Sequence, residues 1–320
     1  MANASPLVNA DPIRHPNDII RFGVLDTPCN AMAPTMSAHN RPKAMTTKEK
    51  PPSWFSESLA RGLMVIRAFD SSAQRLRPTD VAKRTGLNRA AARRYMLTLQ
   101  DLGYLGCDDD RFYLRPKVLD LGYAYISSMQ IDKLVQPFLN DLSTRTHESS
   151  SFAVLESDEV LFIARSSPEK TQILQISVSI GGRVPAYATS LGHALLSGLP
   201  DEELERYLKS LKGHADKMPI GVRDLKASIE KARKQGWVLV SNILTSGIVG
   251  IAAPIRYPDG KLMGAVNIAN YGSGNPKLVK DYVPQLLEAA ASLERVLQTR
   301  GQSGGGDRFS APVGAARRKS

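Results

Sequence analysis

The chain is poor in cysteine and lacks the motifs that mark common enzymes. Its 320 residues include two cysteines, Cys29 and Cys107, too few for a disulfide scaffold or a cysteine-based zinc site. The five histidines show no HxxxH or HExxH spacing, so we expect no bound metal and no cofactor. A Walker loop, a nucleophile elbow and a GxGxxG segment after a strand are also absent. These absences argue against catalysis.

Only one apolar segment approaches the length that spans a membrane. Residues 237–255 carry no charge, but Asn242, Thr245, Ser246 and Gly247 interrupt the segment. Its Val/Ile-rich flanks around a polar glycine turn predict two strands and a loop rather than a membrane span. The N-terminal residues also lack the apolar core of a secretion signal. We therefore expect a soluble, cytoplasmic protein with no membrane partner.

Positive charge is abundant and unevenly distributed. The 42 Lys and Arg exceed the 31 Asp and Glu, which gives a formal net charge of +11. Residues 77–94 contain six basic residues and one acid, Asp80. Such a density is typical of a surface that contacts nucleic acid. The alternative is a charged helix face that is merely solvated.

Composition and length predict two folded domains between two irregular ends. Residues 1–52 lack periodicity and suggest a disordered extension, within which Met45 is an alternative translation start. The predicted parts that follow are a DNA-binding domain at 53–115, a linker helix at 116–132, a second domain at 133–300 and a flexible basic tail at 301–320.

The first domain is predicted to begin with two short helices. Over residues 57–69, Leu59, Leu63, Ile66 and Phe69 share one apolar face at helical spacing. The second helix starts at Pro78, which suits the first helical position, and ends at Gly86.

A third helix with two different faces is predicted from Asn88, a good N-cap, to about Leu102. One side carries Ala91, Ala92, Tyr95, Leu99 and Leu102, and the other side carries arginines. A hairpin around Asp108, Asp109 and Asp110 follows. A tight turn, a basic helix and a hairpin in this order predict a winged helix-turn-helix. The candidate DNA-binding residues are Lys83, Arg84, Asn88, Arg89, Ala90, Arg93, Arg94 and Arg111.

These candidates have different predicted roles. Arg89, Arg93 and Arg94 are expected to reach base edges or phosphates, and the small Ala90 lets the helix lie close to the duplex. Lys83 and Arg84 are expected on the phosphate backbone, while Arg111 could enter the minor groove from the hairpin.

The second domain alternates strands and helices, which predicts an α+β fold with a six-stranded antiparallel sheet and flanking helices. The predicted strands are 152–156, 160–165, 173–180, 237–241, 248–255 and 262–269. The predicted helices are 136–147, 190–199, 201–211, 223–235 and 277–298.

Residues 179–194 are the most informative segment of this domain. A strand is predicted to end at Gly181-Gly182, and Thr189 or Ser190 can cap a helix whose N-terminus would hold a carboxylate. Arg183 could add a bidentate contact, and Tyr187 could form an apolar wall with a polar tip. The alternative is a structural glycine turn with a satisfied cap. His193 is expected to be a surface or capping residue rather than a base.

Three segments resemble the IclR family of bacterial transcriptional regulators. They are Ser-Leu-Ala-Arg-Gly-Leu (58–63), Arg-Thr-Gly-Leu-Asn-Arg-Ala-Ala-Ala-Arg-Arg-Tyr (84–95) and Gly-Arg-Val-Pro-Ala-Tyr-Ala-Thr-Ser-Leu-Gly (182–192). Within the family, the chain is similar to the PcaR/PcaU/PobR branch, which controls aromatic-acid and β-ketoadipate catabolism. The resemblance covers about residues 55–298.

The resemblance implies a winged-helix domain, a linker helix that helps to dimerise, and a GAF-like effector domain in a homodimer or homotetramer. It also implies an effector pocket between sheet and helix. The positions that match this pocket are Ile173, Ile176, Val184, Ser190, Leu191, Val240, Gly250, Asn267 and Ala269.

The leading hypothesis is a regulator of a catabolic operon rather than an enzyme. It would bind a double-stranded DNA operator, a palindrome or repeat, and respond to a small carboxylate such as an aromatic acid or a ring-cleavage product. One alternative is a DNA-binding protein without an effector, which no ligand would stabilise. Another is an enzyme acting on aromatic acids, which would show turnover.

Overall fold

A computed structural model describes residues 52–70, 72–128, 130–168, 179–213, 218–241, 243, 247–271 and 278–303. The chain divides between Leu114 and Arg115 into two compact units. No helix in these ranges is both long enough and apolar enough to cross a membrane.

The first unit consists of three helices followed by a hairpin, as predicted. The elements are α1 (Glu57–Ile66), α2 (Pro78–Thr85), α3 (Arg89–Asp101), β1 (Leu105–Asp108) and β2 (Arg111–Leu114). Leu76 adds a short bridge to the hairpin through paired backbone hydrogen bonds with Phe112. Apolar side chains from every element meet in one core, which includes Val65, Val81, Met96, Leu105 and Phe112.

Two details of the predicted core are wrong. Leu59 is 64% exposed and Leu63 is 47% exposed, while Val65 of the same helix is fully buried. Helix α1 therefore carries a second apolar surface that the described residues of this unit leave exposed. Leu102 is also exposed, because it follows the last residue of α3 and no longer shares the buried side of that helix.

The second unit contains seven helices and six strands within the described ranges. These are α4 (Leu119–Ser128), α5 (Ile131–Leu134), α6 (Gln136–Thr146), β3 (Ser149–Glu156), β4 (Glu159–Ser166), β5 (Arg183–Pro185), α7 (Ser190–Ser197), α8 (Asp201–Leu211), α9 (Val222–Gln235), β6 (Val238–Ser241), β7 (Ile248–Arg256), β8 (Leu262–Tyr271) and α10 (Val283–Ser303). Short 3₁₀ turns at Pro116–Val118 and Ala186–Ala188 precede α4 and α7.

The six strands form one antiparallel sheet in the order β5-β4-β3-β8-β7-β6. Helices α6 and α10 pack on one face, and α7 packs on the other with α9 behind it. Successive side chains of β7 point to opposite faces of the sheet. Val249 and Ile251 pack in the core with α6 and α10, whereas Ala252 packs in the core with α7 and α9. The predicted α+β class and six-stranded antiparallel sheet are confirmed.

The structure corrects the predicted strand 173–180 and confirms the two strands predicted within residues 237–255. Ser179 and Ile180 are described and are not in a strand, while the rest of the predicted strand 173–180 lies outside the described residues. The sixth strand is β5 instead. The uncharged segment 237–255 folds as β6 and β7, which confirms the prediction of two strands.

Candidate nucleic-acid interface and ligand cavity

A tight turn separates helices α2 and α3 in the first unit. Gly86 ends α2 with a φ of +74°, a left-handed conformation that favours glycine. Asn88 then caps α3, and its Oδ1 accepts a hydrogen bond of 2.8 Å from the backbone N–H of Ala91. The cap fixes where α3 begins and so fixes which of its residues face outward.

Helix α3 presents its arginines to solvent. Ala92, Met96 and Leu99 are buried, whereas Arg89, Ala90, Arg93 and Arg94 are all exposed. The guanidinium of Arg94 lies 5.5 Å from the centroid of the Tyr95 ring, a cation–π contact. Because the arginines share one face with a small alanine, α3 can approach a DNA groove closely and place cations on it.

Arg84 has partners inside the first unit that the sequence did not indicate. Its Nη1 donates to the backbone oxygen of Ala68 at 2.7 Å and to the Asp70 carboxylate at 2.8 Å. These bonds tie α2 to the segment that follows α1. The neighbouring Lys83 is exposed.

The hairpin has a two-residue turn that brings acidic residues beside Arg111. Asp109 and Asp110 both have positive φ, 50° and 60°, as a type I′ hairpin turn requires. Arg111 is exposed and lies directly opposite Asp108. The carboxylate of Asp108 accepts a 2.9 Å hydrogen bond from Arg75, which neutralises part of the negative charge at the hairpin.

The second unit contains a cavity of about 110 Å³ between the sheet and the first turn of α7. Apolar and small polar side chains from β3, β4, β6, β7, β8 and α7 enclose it. The lining residues are Ser149, Ser151, Phe162, Arg165, Ala188, Thr189, Ser190, Leu191, Val240, Ile243, Ile248, Gly250, Asn267 and Ala269.

Strand register explains why the cavity forms at this place. Ser149, Ala269, Gly250 and Val240 are successive cross-strand neighbours from β3 to β6. Three of these four side chains are small, so this row of the sheet leaves space beneath α7. A Cβ on Gly250 would lie 2.3 Å from Ser190 Oγ, so glycine is required for this close approach of β7 and α7.

Two features make the cavity suitable for an anion. Thr189 caps α7 by accepting a 3.0 Å hydrogen bond from the N–H of Gly192, and the positive end of the α7 dipole lies at the cavity. Arg165 is the one charged side chain among the described lining residues. Its Nε donates to Ser167 Oγ at 3.2 Å and its Nη2 to Ser149 Oγ at 3.4 Å. Burial lowers the pKa of Arg165 because desolvation disfavours its charged form, a cost that an anionic ligand would offset.

The structure brings together most, but not all, of the predicted effector residues. Those that line the cavity are Thr189, Ser190, Leu191, Val240, Gly250, Asn267 and Ala269. Ile173 and Ile176 lie outside the described residues. The effector-binding role of all of these residues stays a prediction.

Arg183, Val184 and Tyr187 are not among the lining residues. Arg183 lies 3.5 Å from the carboxylate of Glu159. Val184 and Tyr187 pack instead into the core between the sheet and helices α7, α8 and α9. The sequence analysis missed the lining residues Ser149, Ser151 and Arg165, whose proximity to α7 follows from strand pairing alone.

His193 is buried, so its expected position on the surface is wrong. It is 1% exposed. Its Nε2 lies 2.8 Å from the backbone oxygen of Tyr187 and its Nδ1 lies 2.9 Å from Ser228 Oγ. Because a carbonyl only accepts, Nε2 carries the proton of the neutral ring and Nδ1 accepts from the Ser228 hydroxyl. The ring thus links α7 to α9 and to the turn before α7.

This burial predicts a pH-dependent stability. Burial lowers the pKa of His193 below its ordinary value of 6.5, because desolvation disfavours the charged ring. Just below pH 6.5 the unfolded chain therefore binds a proton at this histidine that the folded chain does not bind. The free energy of unfolding should therefore fall as the pH drops from 6.5 toward the lowered pKa. Urea denaturation at pH 7.5 and pH 5.5 measures this change. A His193→Gln variant should lose less stability over the same interval than the wild type, and an equal loss would contradict the assignment.

Comparison with known proteins agrees with this architecture. A winged helix-turn-helix unit with an exposed arginine face, followed along the chain by an α+β unit with a cavity beside a helix, is the architecture of a DNA-binding transcriptional regulator. Residues 58–109 match the model of the IclR helix-turn-helix domain, and residues 123–295 match that of the bacterial transcriptional regulator IclR C-terminal domain. The chain belongs to the IclR family.

Relatives in this family regulate transcription and are not enzymes. The chain is 37% identical to the Pca regulon regulatory protein of Pseudomonas putida, over 82% of this chain and 91% of that protein. It is 35% identical to the p-hydroxybenzoate hydroxylase transcriptional activator of Acinetobacter baylyi, over 73% and 89%. A solved structure from Rhodococcus sp. RHA1 is 40% identical, covers 77% of this chain and 100% of its own, and superposes with a TM-score of 0.67.

Proposed function

We propose that the protein controls an operon for aromatic-acid catabolism and changes its operator affinity when a small aromatic carboxylate occupies the cavity of the second unit. The observation that carries this proposal is the pairing of an exposed arginine face on α3 with a cavity that contains Arg165. The first can hold DNA, and the second can hold an anion.

We assign the DNA contacts from the solvent exposure of each candidate side chain and from the hydrogen bonds that it already makes within the first unit. Arg89 and Arg93 are the proposed base-reading residues, with Arg94 and Lys83 on phosphates and Ala90 permitting close approach. Arg111 is the proposed hairpin contact. Asn88 acts first as the helix cap, and Arg84 serves the structure of the first unit through Asp70 rather than the DNA backbone.

The effector class follows from the size and charge of the cavity. The cavity volume of about 110 Å³ is smaller than the about 150 Å³ of a cavity that holds benzene, which restricts the proposed effector to an acid with at most one ring or a short chain. Arg165 and the N-terminus of α7 favour a carboxylate on that ligand. The names of the Pseudomonas and Acinetobacter relatives support an aromatic acid.

Uncovered apolar surface supports a homodimer as the working form, with a homotetramer as the larger alternative. Leu59 and Leu63 are exposed on α1, and Leu119, Leu121 and Tyr123 are exposed on α4, in which no described side chain is buried. Apolar surface of this kind marks a protein interface. A twofold dimer would read a palindromic or repeated operator. A DNA partner supports the bacterial cytoplasm as the proposed location.

A footprint on the DNA flanking its gene tests the DNA half of this proposal. We expect two protected half-sites whose centres lie about one helical turn, or a multiple of it, apart, and an affinity that falls steeply with salt. Unrelated duplexes of equal length serve as the control. Equal protection of all sequences would contradict a specific regulator and would favour a DNA-binding protein without an effector.

A further inference from the structure

The hairpin of the first unit places a carboxylate beside its single basic residue. Arg111 is the only Lys or Arg in residues 105–114, and Asp108 on β1 lies directly opposite it. Both residues are exposed. Oppositely charged side chains at such positions attract each other across a pair of strands. A salt bridge between them would occupy the cation that the hairpin offers to a duplex.

In the structure, Arg75 binds the carboxylate of Asp108 instead. Its Nη1 donates a hydrogen bond of 2.9 Å to Asp108 Oδ2, whereas Arg111 forms no ion pair with any residue that the structure describes. Leu76 brings its neighbour Arg75 to the hairpin, because the backbone of Leu76 exchanges hydrogen bonds of 2.9 and 2.8 Å with that of Phe112.

The ring of Tyr113 fixes the direction of the Arg75 side chain. The guanidinium lies 4.9 Å from the centroid of this ring, a cation–π contact. Tyr113 is opposite Gly106, where a Cβ would overlap the ring, so no side chain of β1 stands between Arg75 and Asp108. A side chain that is already held in place loses little conformational entropy when it binds a carboxylate. This favours Arg75 over Arg111 as the partner of Asp108.

We infer that Arg75 is a positioning residue for DNA binding, which holds Asp108 and thereby keeps Arg111 available to the duplex. This inference rests on the proposed function, because it takes Arg111 to be the hairpin contact. Without Arg75, Asp108 pairs with the arginine directly opposite it, and DNA must break that pair before it can bind Arg111. Arg75 acts in this way without touching the DNA.

A double-mutant cycle on the full chain tests the inference, with operator affinity measured by fluorescence anisotropy at about 50 mM salt, where surface charges are weakly screened. Arg75→Met keeps a side chain that can cover the Tyr113 ring but removes the charge. We expect it to weaken operator binding about 3- to 5-fold, the upper part of the range for one exposed ion pair. In the Asp108→Asn background, Arg75→Met should cause no loss, because the competing carboxylate is gone.

The cycle separates this role from two others. If Arg75 contacts the DNA itself, or only supports the fold of the hairpin, Arg75→Met should weaken binding equally with and without Asp108→Asn, which would overturn the inference. Arg75→Lys keeps a cation for Asp108 and should bind the operator nearly as well as the wild type. Arg223→Met makes the same change of charge at an exposed position of α9 and should change operator affinity little. A loss in Arg223→Met as large as that in Arg75→Met would also contradict the inference.

Arg111→Ala distinguishes failure of the inference from failure of the proposed function. It should weaken binding by the wild type and have a smaller effect in Arg75→Met, where Asp108 already competes for Arg111. An equal loss in both backgrounds would overturn the inference alone. No loss in the wild type would remove the proposed hairpin contact together with the inference and leave the arginine face of α3 as the proposed DNA contact. If Arg75→Met does not fold, Arg75→Gln takes its place in the same cycle.

Discussion

Replacing Arg165 with glutamine is expected to reduce the affinity for 4-hydroxybenzoate by about 10- to 100-fold, because a hydrogen bond to a charged group contributes about 1.5–3 kcal/mol. The substitution removes the positive charge from the cavity but keeps a shorter side chain that can still form hydrogen bonds. Calorimetric titration of the full chain measures the change. Operator affinity without effector should remain near that of the wild type, since Arg165 lies in the second unit.

Arg183→Gln is the matched control for this effect. Arg183 is the arginine that the sequence analysis assigned to the effector, yet it lies 3.5 Å from Glu159 and does not line the cavity. Its replacement makes the same change of charge and should leave effector affinity within a few-fold of the wild type. A larger loss in Arg183→Gln than in Arg165→Gln would show that the carboxylate binds elsewhere.

Replacing Arg93 with alanine should weaken operator binding by about 1–3 kcal/mol and relax the preference for one base pair. Arg93 is exposed on α3 between the buried Ala92 and the stacked Arg94, so its loss leaves the core of the first unit unchanged. Fluorescence anisotropy on operator variants measures both effects.

Three comparisons sharpen this test. Arg223→Ala removes one positive charge from an exposed position of α9 and should change operator affinity little. If Arg93 contacts a phosphate instead of a base, its loss should weaken all sequences equally and lower the salt slope by about one. Unchanged operator affinity in Arg93→Ala would remove the residue from the interface altogether.

The sequence predicted the helices of the first unit well because the residues that start and stop each helix act on the backbone next to them. Pro78, Gly86 and Asn88 start and stop helices through their own backbone preferences. The amphipathic pattern of α3 placed Arg89 and Arg93 outward. The same reasoning failed for α1, where Leu59 and Leu63 are exposed, because a pattern reports an apolar face but not whether this chain or another one covers it.

The cavity depends on pairing that the sequence pattern did not specify. Arg165 reaches it only because β4 pairs with β3 in a register that sets Arg165 opposite Ser151. The sequence of α7 contained a signal for the burial of His193 that the analysis missed. Every residue of this helix from Ser190 to Ser197 is buried. A helix that is small or apolar all round is a buried helix, so a histidine within it is buried as well.

The central claim is that ligand occupancy of the cavity changes DNA binding. The most direct measurement is the operator affinity of the wild type and of Arg165→Gln, each with and without saturating 4-hydroxybenzoate. We expect the ligand to shift the affinity of the wild type by about 5- to 150-fold, the usual range of coupling between two sites. Arg165→Gln should need about 10- to 100-fold more ligand than the wild type to reach half of its own shift. An identical operator affinity of the wild type with and without a ligand that calorimetry shows to be bound would contradict the account.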